Sequence, residues 1–207
     1  MVSNLGLTLL LEMKKKLAIV TTHPIQYYAP LFRELAESEV IDLKVFYTKG
    51  KVTETQFEPD FGKIITWDIP LLEGYVYQYT KNKSNKKNGF WSIENPNLIA
   101  EIETWQAECV LVFGWSYLSH FKILNYFKGK IPVYFRGDSN LLDEKRGLKT
   151  FLRRYFLHWV YSKIDLAFYV GIENKKYYLK HGLKENQLAF APVSYTHLRA
   201  HETKANL

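Results

Sequence analysis

Residues 17–36 read LAIVTTHPIQYYAPLFRELA, and the order of polar and apolar residues in this stretch indicates an α/β protein. Its apolar start, Leu17–Val20, is typical of a buried β-strand, and residues 28–38 have the apolar spacing of an amphipathic helix. A polar loop lies between the two. Ligands of open α/β sheets bind where strands give way to helices, and the first strand is normally central. We therefore expect this loop to face the main cleft.

The loop after the first strand carries side chains that suit a hydroxylated ligand. A neutral imidazole at His23 can accept a hydrogen bond, the amide of Gln26 can donate and accept, and Tyr27 adds a phenol. Neither G-x-G-x-x-G nor G-x-x-x-x-G-K-[ST] occurs, so no glycine-rich backbone can approach a pyrophosphate closely. Side chains are therefore expected to recognise a hydroxylated ligand rather than a bare phosphate. The alternative is that His23 and Pro24 only shape a turn.

The composition fits one globular domain with an anionic partner or a solvated basic surface. The chain has 207 residues, of which 47% are hydrophobic and 24% charged, and its net charge is +7. A charge of this size suits nucleic acid, acidic lipid or a phosphorylated ligand, but Lys-rich surfaces are also common. We expect no nucleic-acid partner, because the basic residues are scattered and no RRM, OB, HTH or zinc-finger pattern occurs.

Cys109 is the single cysteine, and it begins an apolar run, so it is expected to be a small core residue. One cysteine excludes a disulfide framework and a cysteine metal site. Together with the absence of a recognisable signal peptide, this predicts a cytoplasmic protein.

Further apolar runs and amphipathic stretches predict repeated strand–helix units. Predicted strands cover residues 17–22, 41–47, 63–69, 109–113, 131–135, 164–170 and 187–191. Predicted helices cover residues 28–38, 94–106, 116–127, 145–162 and 174–181. Residues 49–62 are expected to be irregular, and residues 82–89 a basic surface loop. This alternation predicts an α/β, Rossmann-like, doubly wound and mostly parallel sheet.

Both ends of the chain are predicted to lie outside the folded domain, which we place at residues 13–192. Residues 1–12 are expected to be disordered or a non-native extension. Residues 193–207 are expected to be a disordered or adaptor-derived tail, because most of this segment resembles an in-frame translation of a sequencing adaptor. On this interpretation the natural protein is interrupted near Pro192.

Two strand ends beyond the first carry residues suited to a ligand. Gly114 and Trp115 follow the strand 109–113, where glycine permits close backbone approach and an indole offers a flat face to a sugar. The alternative for Trp115 is a place in the core. Arg136 and Asp138 follow the strand 131–135 and reach the same edge of the sheet.

Arg136 could pair with a phosphate or with Asp138. Asp138 could accept hydrogen bonds from sugar hydroxyls, or it could cap the next segment of the chain. Asn174 follows the strand 164–170 and is expected to bind substrate through polar contacts near a domain junction.

Five segments of the sequence, taken in order, resemble one protein family. They are KLAIVTTHPIQYYAPLFREL (16–35), VLVFGWSYLSHFKIL (110–124), IPVYFRGDSNLL (131–142), LAFYVGIENKKYYLKHGL (166–183) and LAFAP (188–192). Together they are similar to the N-terminal half of bacterial GT-B glycosyltransferases of family 4, also called glycosyl transferases group 1. The resemblance covers residues 16–192.

The resemblance implies the acceptor-binding domain of an enzyme that moves a sugar from a nucleotide-diphosphate donor to a cell-envelope glycan or lipid-linked acceptor. It implies a retaining reaction with no metal ion and no cofactor besides the nucleotide-sugar donor. Family members hold that donor mainly in a second domain, with an Arg/Lys pair and an E-x7-E motif that this sequence lacks. We therefore expect this chain to lack its donor domain and to be inactive alone. The alternative is a non-catalytic Rossmann-like binding module for a small anionic or sugar ligand.

The same resemblance places the loop after the first strand at the cleft between two domains. A Gly-Gly loop typical of the family is replaced here by residues 23–26, HPIQ, which weakens any phosphate role for that loop. His23 and Asp138 are the candidate catalytic residues. For His23 we expect orientation of the acceptor rather than general-base chemistry, because a retaining route does not demand a strong base.

The predicted helix 148–162 combines aromatic and basic residues. Its expected apolar stripe consists of Leu148, Phe151, Leu152, Tyr155, Phe156 and Trp159, and Lys149, Arg153, Arg154 and Lys163 add positive charge. Such a helix can lie on an anionic membrane, with Phe151, Arg153, Arg154 and Trp159 as contacts. We therefore expect possible peripheral attachment to the inner face of the cell membrane. The alternative is a helix packed into the core with solvated arginines.

Overall fold

Strands and helices alternate along the chain, as the sequence predicts. The computed structural model describes residues 14–50, 55–58, 63–66, 70–140 and 148–192. Within these ranges the strands are β1 (Lys15–Thr21), β2 (Ile41–Tyr47), β3 (Thr55–Glu58), β4 (Lys63–Thr66), β5 (Val76–Tyr79), β6 (Cys109–Phe113), β7 (Val133–Arg136), β8 (Leu166–Tyr169) and β9 (Leu188–Phe190). The α-helices are α1 (Ala29–Glu37), α2 (Leu98–Thr104), α3 (Leu118–Phe127), α4 (Leu148–Tyr161) and α5 (Ile172–Lys180). Short 3₁₀ turns lie at Phe90–Ser92 and Glu185–Gln187.

Seven of these strands form one parallel sheet in the order β5-β2-β1-β6-β7-β8-β9. β1 lies inside the sheet, with Ile19 opposite Val45 of β2 on one side and Leu111 of β6 on the other. The strand order reverses between β1 and β6. At such a switch point a crevice opens at the carboxyl ends of the strands. The predicted α/β doubly wound sheet is confirmed.

The inner strands are apolar along most of their length because helices cover both faces of the sheet. Alternate residues of β1 face opposite sides, so Ala18 and Val20 belong to one core cluster and Leu17 and Ile19 to the other. The first cluster includes side chains from α2, α3, α4 and α5, and the second includes α1. Cys109 is buried in the second cluster, which confirms the prediction of a small core residue.

The sheet differs from the sequence prediction in two places. The prediction that residues 49–62 are irregular is wrong at β3, which pairs antiparallel with β4. The predicted strand 63–69 corresponds to β4, and it belongs to this separate two-stranded sheet rather than to the parallel one. β5 was not predicted. It is four residues long, lies at the edge of the sheet and exposes two of its side chains, so it lacks the continuous apolar run of an inner strand.

Several predictions concern residues that the structure does not describe. The predicted extension at residues 1–12 and the predicted tail at residues 193–207 lie outside the described residues. Residues 141–147 also lie outside the described residues, so the alternative that Asp138 caps the next segment of the chain stays a prediction. No helix in the described ranges is long and apolar enough to cross a bilayer.

Candidate functional site

The loops that follow β1, β6 and β7 meet at the switch point of the sheet. The Tyr28 ring, just before α1, has its centroid 4.6 Å from that of Phe113 at the end of β6. The guanidinium carbon of Arg136, the last residue of β7, lies 5.7 Å from the Tyr28 centroid. The Gly114 N–H donates to the Arg136 carbonyl over 2.8 Å. The predicted convergence of these strand ends on one edge is therefore present.

His23 lies in the loop after β1 and is half-buried. Burial lowers the pKa of its imidazole, and the nearby positive charge of Lys49 lowers it further. The ring is consequently neutral near pH 7. Its Nδ1 lies 2.9 Å from Thr22 Oγ1, which leaves Nε2 for a second partner. A neutral ring of this kind can donate or accept one hydrogen bond to a ligand hydroxyl.

Gln26 and Tyr27 occupy the last part of the same loop. Gln26 is half-buried, and Tyr27 is 43% exposed. The helix that follows has a proline in its first turn, a position where the missing N–H is tolerated. Their predicted roles in substrate binding stay predictions.

Arg136 is a buried cation at this edge. Only 4% of its surface is exposed, and its Nε has no hydrogen-bond partner among the described residues. Asp138 is exposed and forms no ion pair with Arg136, so the possible pairing of these two residues is not present. The pKa of the Tyr28 phenol is raised, mainly by burial and also by the charge of Asp138, while Arg136 opposes the shift.

Asn174 and Tyr178 of α5 fix the backbone of the loop after β7. The Asn174 amide donates to the carbonyls of Gly137 and Ser139 over 3.0 and 2.7 Å, and its oxygen accepts from the Val170 N–H over 3.1 Å. The Tyr178 hydroxyl donates to the Gly137 carbonyl over 2.7 Å and accepts from the Gly137 N–H over 2.9 Å. Asn174 is buried, and its amide already binds the backbone. Its geometry is that of a positioning residue, whereas direct ligand contact was predicted.

The loop after β6 begins with Gly114 and Trp115. Gly114 has a φ of +74°, a conformation that glycine adopts without steric cost. Trp115 is half-buried, packs against the first core cluster and contacts Phe156 of α4 edge-on, with centroids 5.6 Å apart. Part of the indole thus belongs to the core, and its predicted contact with a sugar stays a prediction.

A buried polar network beneath this edge was not predicted. His120 of α3 is fully buried, and its Nδ1 lies 3.0 Å from the Phe113 carbonyl and 3.1 Å from the Gly114 carbonyl. Because carbonyls only accept, Nδ1 carries the proton, and Nε2 accepts from the Thr48 hydroxyl over 2.8 Å. Burial lowers the pKa of His120 to about 4. The ring therefore ties α3 to the ends of β2 and β6.

Asn95 extends this network to β5. Its amide donates to the Thr48 carbonyl over 2.9 Å and to the Thr80 carbonyl over 3.4 Å, and its N–H donates to Ser119 Oγ over 2.6 Å. The segment 94–97 was predicted only as the opening of a helix. The sequence did hold a signal for the network, because Ser119 and His120 are polar residues on the otherwise apolar face of α3.

The surface of α4 carries exposed aromatic rings. Among the described side chains of α4, those of Leu157, Val160 and Tyr161 are buried in the core. Of the expected stripe, Tyr155, Phe156 and Trp159 are 66%, 39% and 46% exposed, so these three rings do not form a core face. The side chain of Phe151 lies outside the described residues. Arg153 is exposed and Arg154 is half-buried.

Ring contacts continue beyond α4 to Phe121 of α3 and to the first 3₁₀ turn. Phe121 and Phe90 are half-buried, and Trp91 is exposed. Ring centroids are 5.2 Å apart for Phe121 and Trp159, 6.1 Å for Phe90 and Phe121, and 5.3 Å for Phe90 and Trp91. We call Phe90, Trp91, Phe121, Phe156 and Trp159 the aromatic surface. Lys163 Nζ lies 5.1 Å above the Trp159 ring, so positive charge borders these residues.

The described residues contain no group of three or more His, Cys, Asp or Glu side chains that could hold a metal ion. The chemistry available at the switch-point edge is therefore that of neutral hydrogen-bonding groups, one buried guanidinium and one exposed carboxylate. Such a set can bind and orient a hydroxylated ligand that also carries negative charge.

No protein-family model and no curated protein matches this chain. Among solved structures, UDP-N-acetylglucosamine 2-epimerase from Rickettsia bellii is similar, with a TM-score of 0.55 and 14% identity over 93% of this chain and 48% of that one. UDP-GlcNAc 2-epimerase from Methanocaldococcus jannaschii has a TM-score of 0.48 and 16% identity, over 86% of this chain and 45% of that one. The chain therefore spans about half the length of these structures.

The likeness to the Rickettsia bellii structure concerns the fold. These epimerases share a GT-B-like Rossmann fold with glycosyltransferases, so the prediction of a GT-B-like architecture is confirmed. The assignment to glycosyltransferase family 4 stays a prediction.

Proposed function

We propose that this chain is the acceptor-binding half of a glycosyltransferase, which moves a sugar from a nucleotide-diphosphate donor to a cell-envelope glycan or lipid-linked acceptor. The observation that carries the proposal is the convergence of three strand-end loops at the switch point of a GT-B-like sheet. The similar structures are UDP-GlcNAc 2-epimerases, which act on a nucleotide sugar, and this supports a sugar-nucleotide-related function.

In this proposal the loop after β1 binds the acceptor. The neutral His23 ring holds one acceptor hydroxyl through Nε2, and Gln26 binds a second through its amide. Tyr27 is exposed at the rim, where a phenol can cover part of a sugar ring. Asp138, exposed on the neighbouring loop, accepts a further hydroxyl. Their joint effect is to hold the attacking oxygen in a fixed position, which lowers the entropic part of the barrier.

The nucleotide-sugar donor is assigned to a second domain of a longer parent protein. This chain spans about half of the similar structures, and its loop after β1 has no glycine-rich backbone for a pyrophosphate. Sugar transfer is therefore a property of the parent, and the chain by itself supplies the acceptor site.

We also propose that the aromatic surface rests on an anionic membrane at the cytoplasmic face. Phe156 and Trp159 are partly exposed, and Arg153 and Lys163 lie on or next to the same helix. Aromatic rings partition into the interfacial region of a bilayer while nearby cations attract acidic headgroups. A lipid-linked acceptor would then be presented close to the sheet edge.

The test is sugar transfer by the full-length parent with His23→Ala, compared with the matched variant His158→Ala, which removes an exposed histidine of α4. We expect His23→Ala to raise KM for the acceptor about tenfold or more while KM for the donor stays within twofold, which corresponds to loss of a hydrogen bond to the acceptor. His158→Ala should leave both constants unchanged.

Unchanged acceptor kinetics in His23→Ala would refute the acceptor role of the loop. Sugar transfer by the 207-residue chain alone would refute the division between an acceptor half and a donor half. Isomerisation of the nucleotide sugar by the parent, without any acceptor, would indicate an epimerase instead.

A further inference from the structure

Arg136 is a buried cation whose charge has no anionic partner among the residues that the structure describes. Only 4% of its surface is exposed, and none of the ion pairs among the described residues includes it. Its Nε has no hydrogen-bond partner among the described residues either. The centroid of the Tyr28 ring lies 5.7 Å from the guanidinium carbon.

This arrangement is unfavourable for a protein without a ligand. A buried guanidinium loses its hydration, and the loss is normally offset by a carboxylate or another anion. A cation–π contact with Tyr28 offsets only part of it. The orphaned Nε adds the desolvation penalty of an unmade hydrogen bond. An anion bound beside Arg136 would remove both penalties at once.

The surroundings hold Arg136 in place and add positive charge. The backbone that follows it is fixed by Asn174 and Tyr178 of α5, so the guanidinium is carried on a rigid element. Lys49, at the adjoining end of β2, is exposed and close enough to lower the pKa of His23. Asp138 is the acidic group nearby, and it is exposed and unpaired with Arg136.

We propose that the ligand of this edge is a phosphorylated sugar, and that Arg136 binds its phosphoryl group while the loop after β1 binds its hydroxyls. This inference rests on the proposed function and adds the chemical class of the ligand. Guanidinium groups bind phosphate through paired N–H donors, of which Nε is one. The phosphoryl group belongs either to the acceptor or to the diphosphate of the donor, and the two sources can be separated by experiment.

The experiment is calorimetric titration of the 207-residue chain, in phosphate-free buffer, with four compounds: glucose 1-phosphate, inorganic pyrophosphate, UDP and methyl glucoside. We compare the wild type, Arg136→Met and the matched variant Arg153→Met, which removes an exposed arginine of α4. We expect glucose 1-phosphate to bind the wild type and Arg153→Met equally, and Arg136→Met at least tenfold more weakly. Weak binding of methyl glucoside should be the same in all three proteins.

The other two compounds identify the source of the phosphoryl group. If Arg136 serves the acceptor, glucose 1-phosphate binds more tightly than pyrophosphate or UDP. If it serves the donor diphosphate, pyrophosphate and UDP bind more tightly and lose the same tenfold in Arg136→Met. Both results support a phosphoryl site at Arg136. Equal affinity of the wild type and Arg136→Met for all three phosphorylated compounds overturns it.

Thermal unfolding separates ligand binding from a structural role. In phosphate-free buffer Arg136→Met should melt at the same temperature as the wild type or higher, because it removes an uncompensated buried charge and keeps most of the side-chain volume. Glucose 1-phosphate should then raise the Tm of the wild type and of Arg153→Met by the same amount, and that of Arg136→Met much less. A large drop in Tm for Arg136→Met, together with equal loss of methyl glucoside binding, would show that Arg136 is structural and would overturn the inference.

The two proposals can fail separately. Binding of methyl glucoside with no additional affinity for the phosphorylated compounds would overturn the phosphoryl site and leave the carbohydrate function standing. Arg136-dependent binding of pyrophosphate with no preference for any sugar would support the anion site and contradict the proposed acceptor role.

Discussion

Nε2 of His120 lies 2.8 Å from Oγ1 of Thr48, and this contact joins α3 to the end of β2 directly beneath the candidate site. Both residues are completely buried. The neutral ring uses its Nδ1 proton on two carbonyls of the loop after β6. The pair therefore fixes the relative positions of two strand ends at which we place the ligand.

Thr48→Val should destabilise the protein by about 1–3 kcal/mol, because the isosteric valine leaves His120 Nε2 buried without a donor. Chemical denaturation monitored by tryptophan fluorescence measures this change. The matched variant Thr104→Val, at an exposed position of α2, should change the free energy of unfolding by less than about 0.5 kcal/mol. Equal stability of the two variants would contradict a structural role for the Thr48 hydroxyl.

The same histidine makes stability depend on pH. Its folded pKa of about 4 lies below the ordinary histidine pKa of 6.5, so between these values the unfolded chain takes up a proton that the folded chain does not. The contribution of His120 is complete above pH 6.5 and is lost as the pH falls towards 4, by roughly 3 kcal/mol in total. His23, whose pKa is also lowered, acts in the same direction.

Denaturation curves from pH 7 to 4 test this dependence. His120→Gln should show a shallower loss of stability than the wild type across that window, whereas His158→Gln, at an exposed position, should follow the wild type. If His120→Gln keeps the full wild-type slope, then the buried imidazole is not the group responsible.

Asn174→Ala should loosen the loop after β7. The substitution removes the hydrogen bonds to Gly137, Ser139 and Val170, so we expect a loss of about 1–3 kcal/mol and faster amide exchange in residues 137–140. Hydrogen–deuterium exchange measures the second effect. Asn97→Ala, at an exposed position whose side chain makes no capping hydrogen bond, should change neither quantity. Unchanged exchange in Asn174→Ala would show that the loop does not depend on α5.

Gly182→Ala should destabilise the protein by more than about 1 kcal/mol. Gly182 has a φ of +99°, and an added Cβ would collide with the imidazole of His158. Gly171→Ala is the matched control, because Gly171 has an extended φ of −174° and open space at the Cβ position. Thermal unfolding should separate the two variants by several degrees. Equal Tm values would show that the end of α5 can rearrange.

The proposed membrane contact predicts binding of the chain to vesicles that contain acidic lipid, with little binding to neutral vesicles and less at high salt. Trp159→Ala should reduce this binding several-fold, because Trp159 is an exposed ring of the aromatic surface. Tyr77→Ala, an exposed ring on the edge strand β5, should have no effect. Absence of binding to acidic vesicles at low salt would remove the membrane proposal.

Much of the fold could be predicted from periodicity. Strands with both faces covered are continuous apolar runs, so β2 and β6 were predicted with the bounds that the structure shows. β5 could not be predicted, because an edge strand with exposed side chains has no such run. β3 and β4 pair with each other outside the main sheet, and strand pairing is a tertiary property that short segments do not encode.

The candidate site was predicted in part for a similar reason. Strand ends are visible in the sequence, so residues such as His23, Gly114 and Arg136 could be assigned to one edge. The sequence does not show how deeply a side chain is buried or which groups it contacts in the folded protein. The unpaired Nε of Arg136, the backbone contacts of Asn174 and the network around His120 all depend on groups that are distant in sequence and adjacent in space.

The position of β1 has a consequence for synthesis on the ribosome. Val45, one neighbour of Ile19 in the sheet, is translated soon after it, but the other neighbour, Leu111, is translated much later. Until then the nascent chain presents an open apolar strand edge, which is the kind of surface that attracts chaperones or promotes aggregation. Truncated translation products that stop before β6 should therefore be insoluble.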